Sequence, residues 1–588
     1  MSNESCIPTP ATPDVCTVAI LIDGAEIPGE FHLLSVAVTR EVNRIPSAVV
    51  QFQDGEAAKA TFAASSGDYF IPGKKIEIQL GYSSKNDSVF KGIIIKHSIK
   101  VRKNSSRLVV ECRDEAVRMT QGEKCRYFTE QKDSDIMEDI IGVYQLEKDV
   151  QATTVDLKEV TQYHATDWDF LLCRAEANGL VVTVTDGKIT VDLPGSDSEP
   201  VVTVTYGATL LELDAEIDAR LQSKGITAGS WDAAEQSMLE VEAGEPTATE
   251  TGNLSSADLA EVIGGEPHEI RHGGRLSEPE LQAWADGRLL RERLAKVRGR
   301  ARFQGFAGVL PGNLIQLTGI GERFQGKVYV SGVRHMLANG NWTTDVQFGL
   351  NPNLFAETYN LRPLPAAGLV PPISGLQIGV VTVLENDPEG EERIKVRLPL
   401  VSPDEEGVWA RMAALDAGKE RGTFFRPEID DEVVVGFLNE DPRYPVVLGM
   451  LHSSANPAPE PAQDDNHRKG YVSREKMQFT FDDEKKIITL ETPSGNKVIL
   501  SEEDKGIMLE DENGNKIILD DSGITIDSSK DLTLKAAKDI KIEGMNMDIK
   551  AKSALKASGT SSAEVSSAST SIKGSATTVI QGGMVQIN

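Results

Sequence analysis

The 588 residues include 90 acidic and 61 basic side chains, a formal net charge of −29, and five cysteines. At roughly 100–200 residues per domain this length predicts about three to five domains, and 40% hydrophobic residues supply each with a core, which excludes a wholly disordered chain. The negative excess repels phosphate backbones and anionic lipid heads, which excludes nucleic acid as a natural partner and makes a membrane surface a poor one. No stretch reaches the roughly 18–20 apolar residues that cross a bilayer. Met1 to Pro13 has neither a basic nor an apolar signal region, so cytoplasmic synthesis without a signal peptide is expected. Cys6, Cys16, Cys112, Cys125 and Cys173 are odd in number and contain no CxxC pair, arguing against a disulfide framework or a thiolate metal site.

Residues 1–14 read as an N-terminal extension. From Val15 to Glu111 the pattern is β: Lys74 to Leu80 alternates polar and apolar, Ile93–Ile95 and Leu108–Val110 are short apolar runs, and Gly, Pro, Asn and Asp divide them. A small antiparallel barrel is the expectation. Ser134 opens a helix with Ile136, Met137, Ile140, Ile141 and Tyr144 on one face. A second helix runs from a Thr166/Asp167 cap through Trp168, Leu171 and Leu172 to Asn178-Gly179. Strands resume at Val181–Thr185 and Val201–Tyr206. Ser230 to Glu266 holds nine acidic residues and no Lys or Arg, which predicts a solvated, partly disordered excursion. Ser277 and Glu280 then form a capping box for a helix reaching Lys296, with Leu281, Trp284, Ala285 and Leu289 as its apolar face. A Pro-rich joint, Leu361 to Pro372, closes this region of 15–365 and marks a domain boundary. Five short strands within 366–455 fit an OB-fold, and 456–478 reads as a linker.

From Phe479 to Asn588 the chain repeats. Ser494-Gly495-Asn496-Lys497 with Val498, Ile499 and Leu500 returns 19 residues later as Asn513 to Leu519. Beyond it a two-point beat continues as Ile524/Ile526, Leu532/Leu534, Ile540/Ile542, Met547/Ile549 and Leu555/Ala557. Each unit is one strand and one polar turn, and one such strand cannot bury its apolar stripe unaided. With small Ala, Ser and Gly filling the rest, the repeat predicts an intertwined β-helix in which several chains, most simply three, share a core.

Read together, the sequence resembles a VgrG-type spike of a contractile injection system, itself similar to a phage tail hub fused to a tail needle. Tyr163 to Leu180 (YHATDWDFLLCRAEANGL), Leu310 to Leu317 with Val328 to His335, and Phe425 to Met450 carry the resemblance. In the last stretch Arg426-Pro427, Asp431-Glu432-Val433, Gly436-Phe437, Asp441-Pro442, Pro445 and Gly449 fall where the family's needle-base barrel has them. The resemblance implies a mainly β fold: a hub of small β-barrels with helices, an OB-fold collar and a trimeric β-helix needle over 479–588. It implies a homotrimer that adapts a sixfold inner tube to a threefold needle, contacts inner-tube and baseplate proteins, and is delivered from the cytoplasm to the exterior or a target cell on firing. It further implies that Val585, Gln586, Ile587 and Asn588 seat a PAAR-type tip protein. A blunt β-helix end is a layer of unpaired strand edges, which favours a cover. Stiffness, not reactive groups, then constitutes the function, with cargo effectors carried on other proteins and no catalytic, cofactor or metal residues expected.

The rival reading is a zinc peptidase. His268-Glu269-Ile270-Arg271-His272 matches H-E-x-x-H, with Glu292 spaced as a third ligand. The motif needs a continuous helix, and Pro267 before it and Gly273-Gly274 after it leave barely one turn. Gly319-Ile320-Gly321 with Gly326 departs from a dinucleotide loop and reads as a turn. No G-x-S-x-G or phosphate loop occurs. The short interval between Leu451 and Tyr471 has no room for a wall-cleaving domain, and the repeat runs to the last residue. His32, His97, His164, His335, His452 and His467 are scattered and read as structural or solvated.

Overall fold

The computed structural model describes residues 6–8, 15–103, 105–195, 199–247 and 251–587. It forms two compact units, one running to Gly449 and the other starting at Met450. The described part of the N-terminal extension is short, yet Ile7 is buried in a core with Val204, Phe303 and Ile315.

The first unit is built on a 13-stranded sheet. Its N-terminal strands alternate as their sequences require: Ile76, Ile78 and Leu80 are buried in Lys75–Tyr82, and Ala48, Val50 and Phe52 in Ser47–Gln53. Together with Phe70 and Phe90 they form one core. The small antiparallel barrel expected over 15–111 is part of a larger sheet, because Leu33–Glu41 pairs on its second edge with Gly326–Ala338, placing Val38 opposite His335. An unpaired row of backbone N–H and C=O groups along Leu33–Glu41 thus finds partners 300 residues away, and two cores share one sheet.

Three helices appear where the sequence places them: Asp133–Val143, Asp167–Ala177 and Glu278–Leu294. The Thr166 hydroxyl accepts from Asp169 N at 3.1 Å, and the Glu280 carboxylate accepts from Ser277 N at 3.0 Å. The middle helix is pinned by its own acidic residues. Asp167, fully buried, accepts from Lys124 at 2.6 Å, Tyr144 at 2.7 Å and Gln162 at 3.0 Å, and also from Arg126. Burial pushes this carboxyl up, the hydrogen bonds from Lys124, Gln162 and Tyr144 push it down, and the balance lies below the usual carboxylate range. One helical face further on, Glu176 accepts from Arg291 at 2.7 Å, Asn43 at 2.9 Å and Phe355 N at 2.6 Å, joining four separate segments at one buried carboxylate.

The acidic segment 230–266 is not the solvated excursion expected. Strand Ile226–Asp232 pairs with Ser237–Glu242 on one side and with His268–His272 on the other, and helix Ser256–Ile263 follows. The inward residues Ile226 and Ala228, with Leu239 and Val241, pack on Leu281, Ala285 and Leu289 of the long helix. Glu240, Glu242 and Glu269 occupy exposed outward positions, while Asp232 is buried at its strand's end beside Arg275 at 3.2 Å, so charge count misjudged a two-faced element. Residues 248–250 lie outside the described set.

Five strands, Gln377–Val383, Ile394–Arg397, Val408–Met412, Glu432–Phe437 and Pro445–Met450, close a barrel around Val381, Ile394, Val396, Ala410, Val433, Val435 and Val447. Asp441 accepts from Arg443 N at 2.9 Å in the turn before its last strand.

Candidate assembly surface

The second unit is a seven-stranded antiparallel meander from Arg468–Val472 to Gly523–Asp527. Pairing starts inside the expected linker, since Arg468–Val472 lies against Gln478–Asp482. The cross-strand register aligns Phe479, Leu490, Val498, Leu509, Ile517 and Ile526 in one row. Two residues along each strand, Phe481, Ile488, Leu500, Ile507, Leu519 and Ile524 form a second row. A spacing of two puts both rows on the same face. Among the described residues none closes over that face: Leu490, Leu500, Leu509 and Ile517 remain about two-fifths exposed and Ile524 is 71% exposed.

The polar turns are fixed by a repeated device. Asn496 Oδ1 accepts from Glu512 N at 3.2 Å, and Asn515 Oδ1 accepts from Ser529 N at 2.9 Å, so an asparagine in each Gly-Asn turn ties it to a later segment of the chain. Gly495 and Gly514 precede these asparagines at φ +91° and +85°, a region that favours glycine. On the strands, Glu510 accepts from Lys497 at 3.0 Å and Lys516 at 2.9 Å. The sequence repeat contained these asparagines, but their reach across turns needed the structure.

After Asp527 the two-point beat continues and the pairing stops. Among the described residues of 528–587 no strand occurs, and Leu532, Leu534, Ile540, Ile542, Met547, Ile549 and Leu555 are all more than half exposed. At the end of the chain Val585 is 47% and Ile587 83% exposed, Gln586 is exposed, and Asn588 lies outside the described residues. Two exposed apolar rows of the length of those on the sheet are the mark of a surface that meets another surface.

The metal motif fails on geometry. His268–His272 is a strand, drawn into extended form by the free edge of Ile226–Asp232, with His268 opposite Ile226. Four residues at about 3.3 Å each put the two Cα atoms roughly 13 Å apart, against the single helical turn that the motif needs, and His272 Nδ1 lies 2.9 Å from its own loop at Gly274 O. His268 Nδ1 does meet Glu292 Oε1 at 3.1 Å, but as a hydrogen-bonded pair that Ser223 also joins. Among the described residues no group of three His, Cys, Asp or Glu side chains is placed to hold a metal. Gly319 and Gly321, at φ +76° and +81°, form the turn between Leu314–Thr318 and Gly326–Ala338. All five cysteines are free thiols.

Residues 12–339 match the family described as the Alg8 N-terminal domain. The chain belongs to that family. Residues 377–452 match the type VI secretion system/phage-baseplate injector OB domain, and 487–588 the phage baseplate V C-terminal trimerisation domain. Two curated relatives, the type VI secretion system spike proteins VgrG1b and VgrG1c of Pseudomonas aeruginosa, are 24% and 25% identical over 391 and 372 residues. These alignments cover 60% and 58% of this chain and 50% and 49% of the relatives. The chain thus spans about half the length of the curated relatives it matches. The 43 kDa tail protein of prophage MuSo2 from Shewanella oneidensis aligns with a TM-score of 0.43 at 11% identity, over 57% of this chain and 98% of that one.

Proposed function

We propose that this chain is the structural spike of a contractile injection system, working as a homotrimer. The observation that carries the reading is the pair of apolar rows along 479–526 and their continuation to 587, exposed in the single chain. Two further copies supply the missing walls, and the match of 487–588 to a trimerisation domain supports three as the number. In this reading 479–588 is the needle shaft, 366–455 the collar and 15–365 the hub that meets inner-tube and baseplate proteins. Val585 to Asn588 seat a PAAR-type tip, whose attraction is the exposed apolar end. Work comes from sheath contraction elsewhere in the machine. The chain's task is to stay folded while driven through an envelope, and strands bonded to other chains unfold slowly because none can leave alone. The role is mechanical and not enzymatic. No helix among the described residues is long and apolar enough to cross a membrane, which agrees with an assembly made in the cytoplasm and delivered outside on firing.

Native mass spectrometry of the full-length chain tests this directly. The expected result is a species of three times 63.7 kDa, free of zinc. A monomer at micromolar concentration, or one zinc per chain, overturns the reading.

A further inference from the structure

One of the scattered histidines is engaged through both ring nitrogens. His97 lies on the long strand Lys85–Arg102, with Nδ1 2.9 Å from Phe70 O and Nε2 2.7 Å from the Ser65 hydroxyl. A carbonyl oxygen can only accept, so Nδ1 carries the proton of the neutral ring and Nε2 is left as an acceptor, to which the Ser65 O–H donates. The serine is held as closely as its base. It belongs to the short helix Ala63–Ser66, and the buried Asp54 carboxylate accepts from Ala64 N at 3.1 Å and from Ser65 N at 2.8 Å. Nucleophile, base and a third group that orients the base thus stand in hydrogen-bond reach of one another, the arrangement that activates a serine. Both Ser65 and His97 are half-buried, within reach of a reagent in solution.

The neighbourhood of the pair is apolar. Ile99 and Val101 follow His97 at a spacing of two and share its face, yet they are 45% and 58% exposed. Register puts Ile99 opposite Leu108 and Val101 opposite Ser106. Gly55 leaves this end of the strip open to an aromatic ring: a Cβ there would meet the Ser106 hydroxyl at 2.5 Å and the Phe62 ring at 2.6 Å. Phe62 therefore lies against the Val101 end of the strip, while Ser65 meets His97 at the other.

We propose that Ser65 is an acyl-acceptor site, with His97 as its base and the strip of Ile99, Val101 and Phe62 as the bed for the acyl chain. The donor class is an activated ester of an apolar acid. The Ser65 oxygen attacks the carbonyl carbon as its proton passes to His97 Nε2; the new O–C bond forms, the bond to the leaving alkoxide breaks, and the proton goes on to that leaving group. No electrons are exchanged with an oxidant or reductant. One acyl group per chain is the end point, so the site carries a modification and leaves the mechanical role as it stands.

The test treats the full-length chain with an octyl fluorophosphonate, in which phosphorus takes the place of the carbonyl carbon and fluoride leaves, and in a second sample with p-nitrophenyl octanoate. Intact mass and peptide mapping read the products. One adduct per chain on Ser65 is expected from each reagent. His97→Gln, which fills the ring's place without a basic nitrogen, is expected to slow both reactions by about 100-fold or more. Ser65→Ala should abolish them, and Ser66→Ala, at the next and exposed residue, should leave them unchanged. Circular dichroism shows whether each variant keeps its fold, and a comparison of native with heat-denatured unsubstituted chain needs no variant, because only the folded chain brings Ser65 to His97. Absence of either adduct on Ser65, an equal rate in a folded His97→Gln chain, or equal labelling of native and denatured chain overturns the proposal.

Discussion

Substituting Ile542→Ala separates a shared core from a solvated tail more sharply than any other single change. In the single chain Ile542 is 66% exposed and belongs to no strand, so its loss there is a surface substitution worth within about 0.5 kcal/mol. In a three-chain shaft the same position is interior. Removing a buried Ile costs about 2–5 kcal/mol, and threefold symmetry applies it three times, giving about 6–15 kcal/mol per trimer. Lys541→Ala, one residue away on the opposite side, serves as the matched control at about 0.5 kcal/mol per chain. Guanidinium unfolding of the full-length protein, followed by far-ultraviolet circular dichroism with native mass spectra at each step, reads the difference. We expect Ile542→Ala to shift the shaft transition and trimer dissociation to clearly lower denaturant, and Lys541→Ala to leave both in place. Equal and small effects from the two would refute the argument that Ile542 lies in a shared core.

Other outcomes follow from the buried polar groups. Glu176→Ala strands Arg291, whose guanidinium burial already holds below its ordinary range, and should lower the first unit's stability by about 3–5 kcal/mol in urea melts. His335 is fully buried; burial, and to a lesser degree the Arg40 charge, lowers its pKa to about 3. The unfolded chain takes up that proton near pH 6.5 and the folded chain does not, so the contribution is complete above pH 6.5 and is lost as pH falls, by about 1.4 kcal/mol per unit. The stability difference between the unsubstituted chain and His335→Asn should therefore shrink by about 2 kcal/mol from pH 6.5 to pH 5, and a flat difference would contradict it. Asn515→Ala removes the acceptor for Ser529 N and the Ser528 hydroxyl, and about 1–3 kcal/mol of shaft stability per chain should go with it in thermal melts. Ile587→Asp should weaken capture of a PAAR-type tip protein in pull-downs of the trimer, whereas Lys573→Asp, away from the end, should not.

Much of this fold could be read from residue order because local patterns and tertiary demands agree. Ile76, Ile78 and Leu80 alternate and are buried; Ile136, Met137, Ile140 and Ile141 fall at helical spacing and are buried. The barrel signature was legible for a second reason: Asp441 fixes a turn, and Gly436 keeps a surface bare, so specific residue types are required there. The failures share a cause. Leu33–Glu41 shows nothing locally of its pairing with Gly326–Ala338, and the acidic segment folds because Leu281, Ala285 and Leu289 lie ready to receive it. His268–His272, set aside as a zinc motif because Pro267 and Gly273-Gly274 leave barely one helical turn, is a strand beside a parallel neighbour, a pairing its own residues do not announce. The shaft was read by what it lacks, too few apolar residues to fill its own interior, and its two registered rows make that deficit geometric. What no sequence pattern disclosed was the wiring of Asp167 and Glu176, since hydrogen-bond partners as distant as Lys124 and Arg291 carry no periodic signal.

The registered rows also constrain how such a shaft changes in evolution. Inserting one residue inside a strand turns the following side chains of that strand to the opposite face and breaks both rows, whereas one more residue in a turn such as Asp511 to Asn515 is absorbed locally. Length therefore changes by whole strand-and-turn units of about eight to ten residues, each adding one strand spacing of about 4.8 Å. The reach of the needle becomes a discrete quantity, counted in repeats.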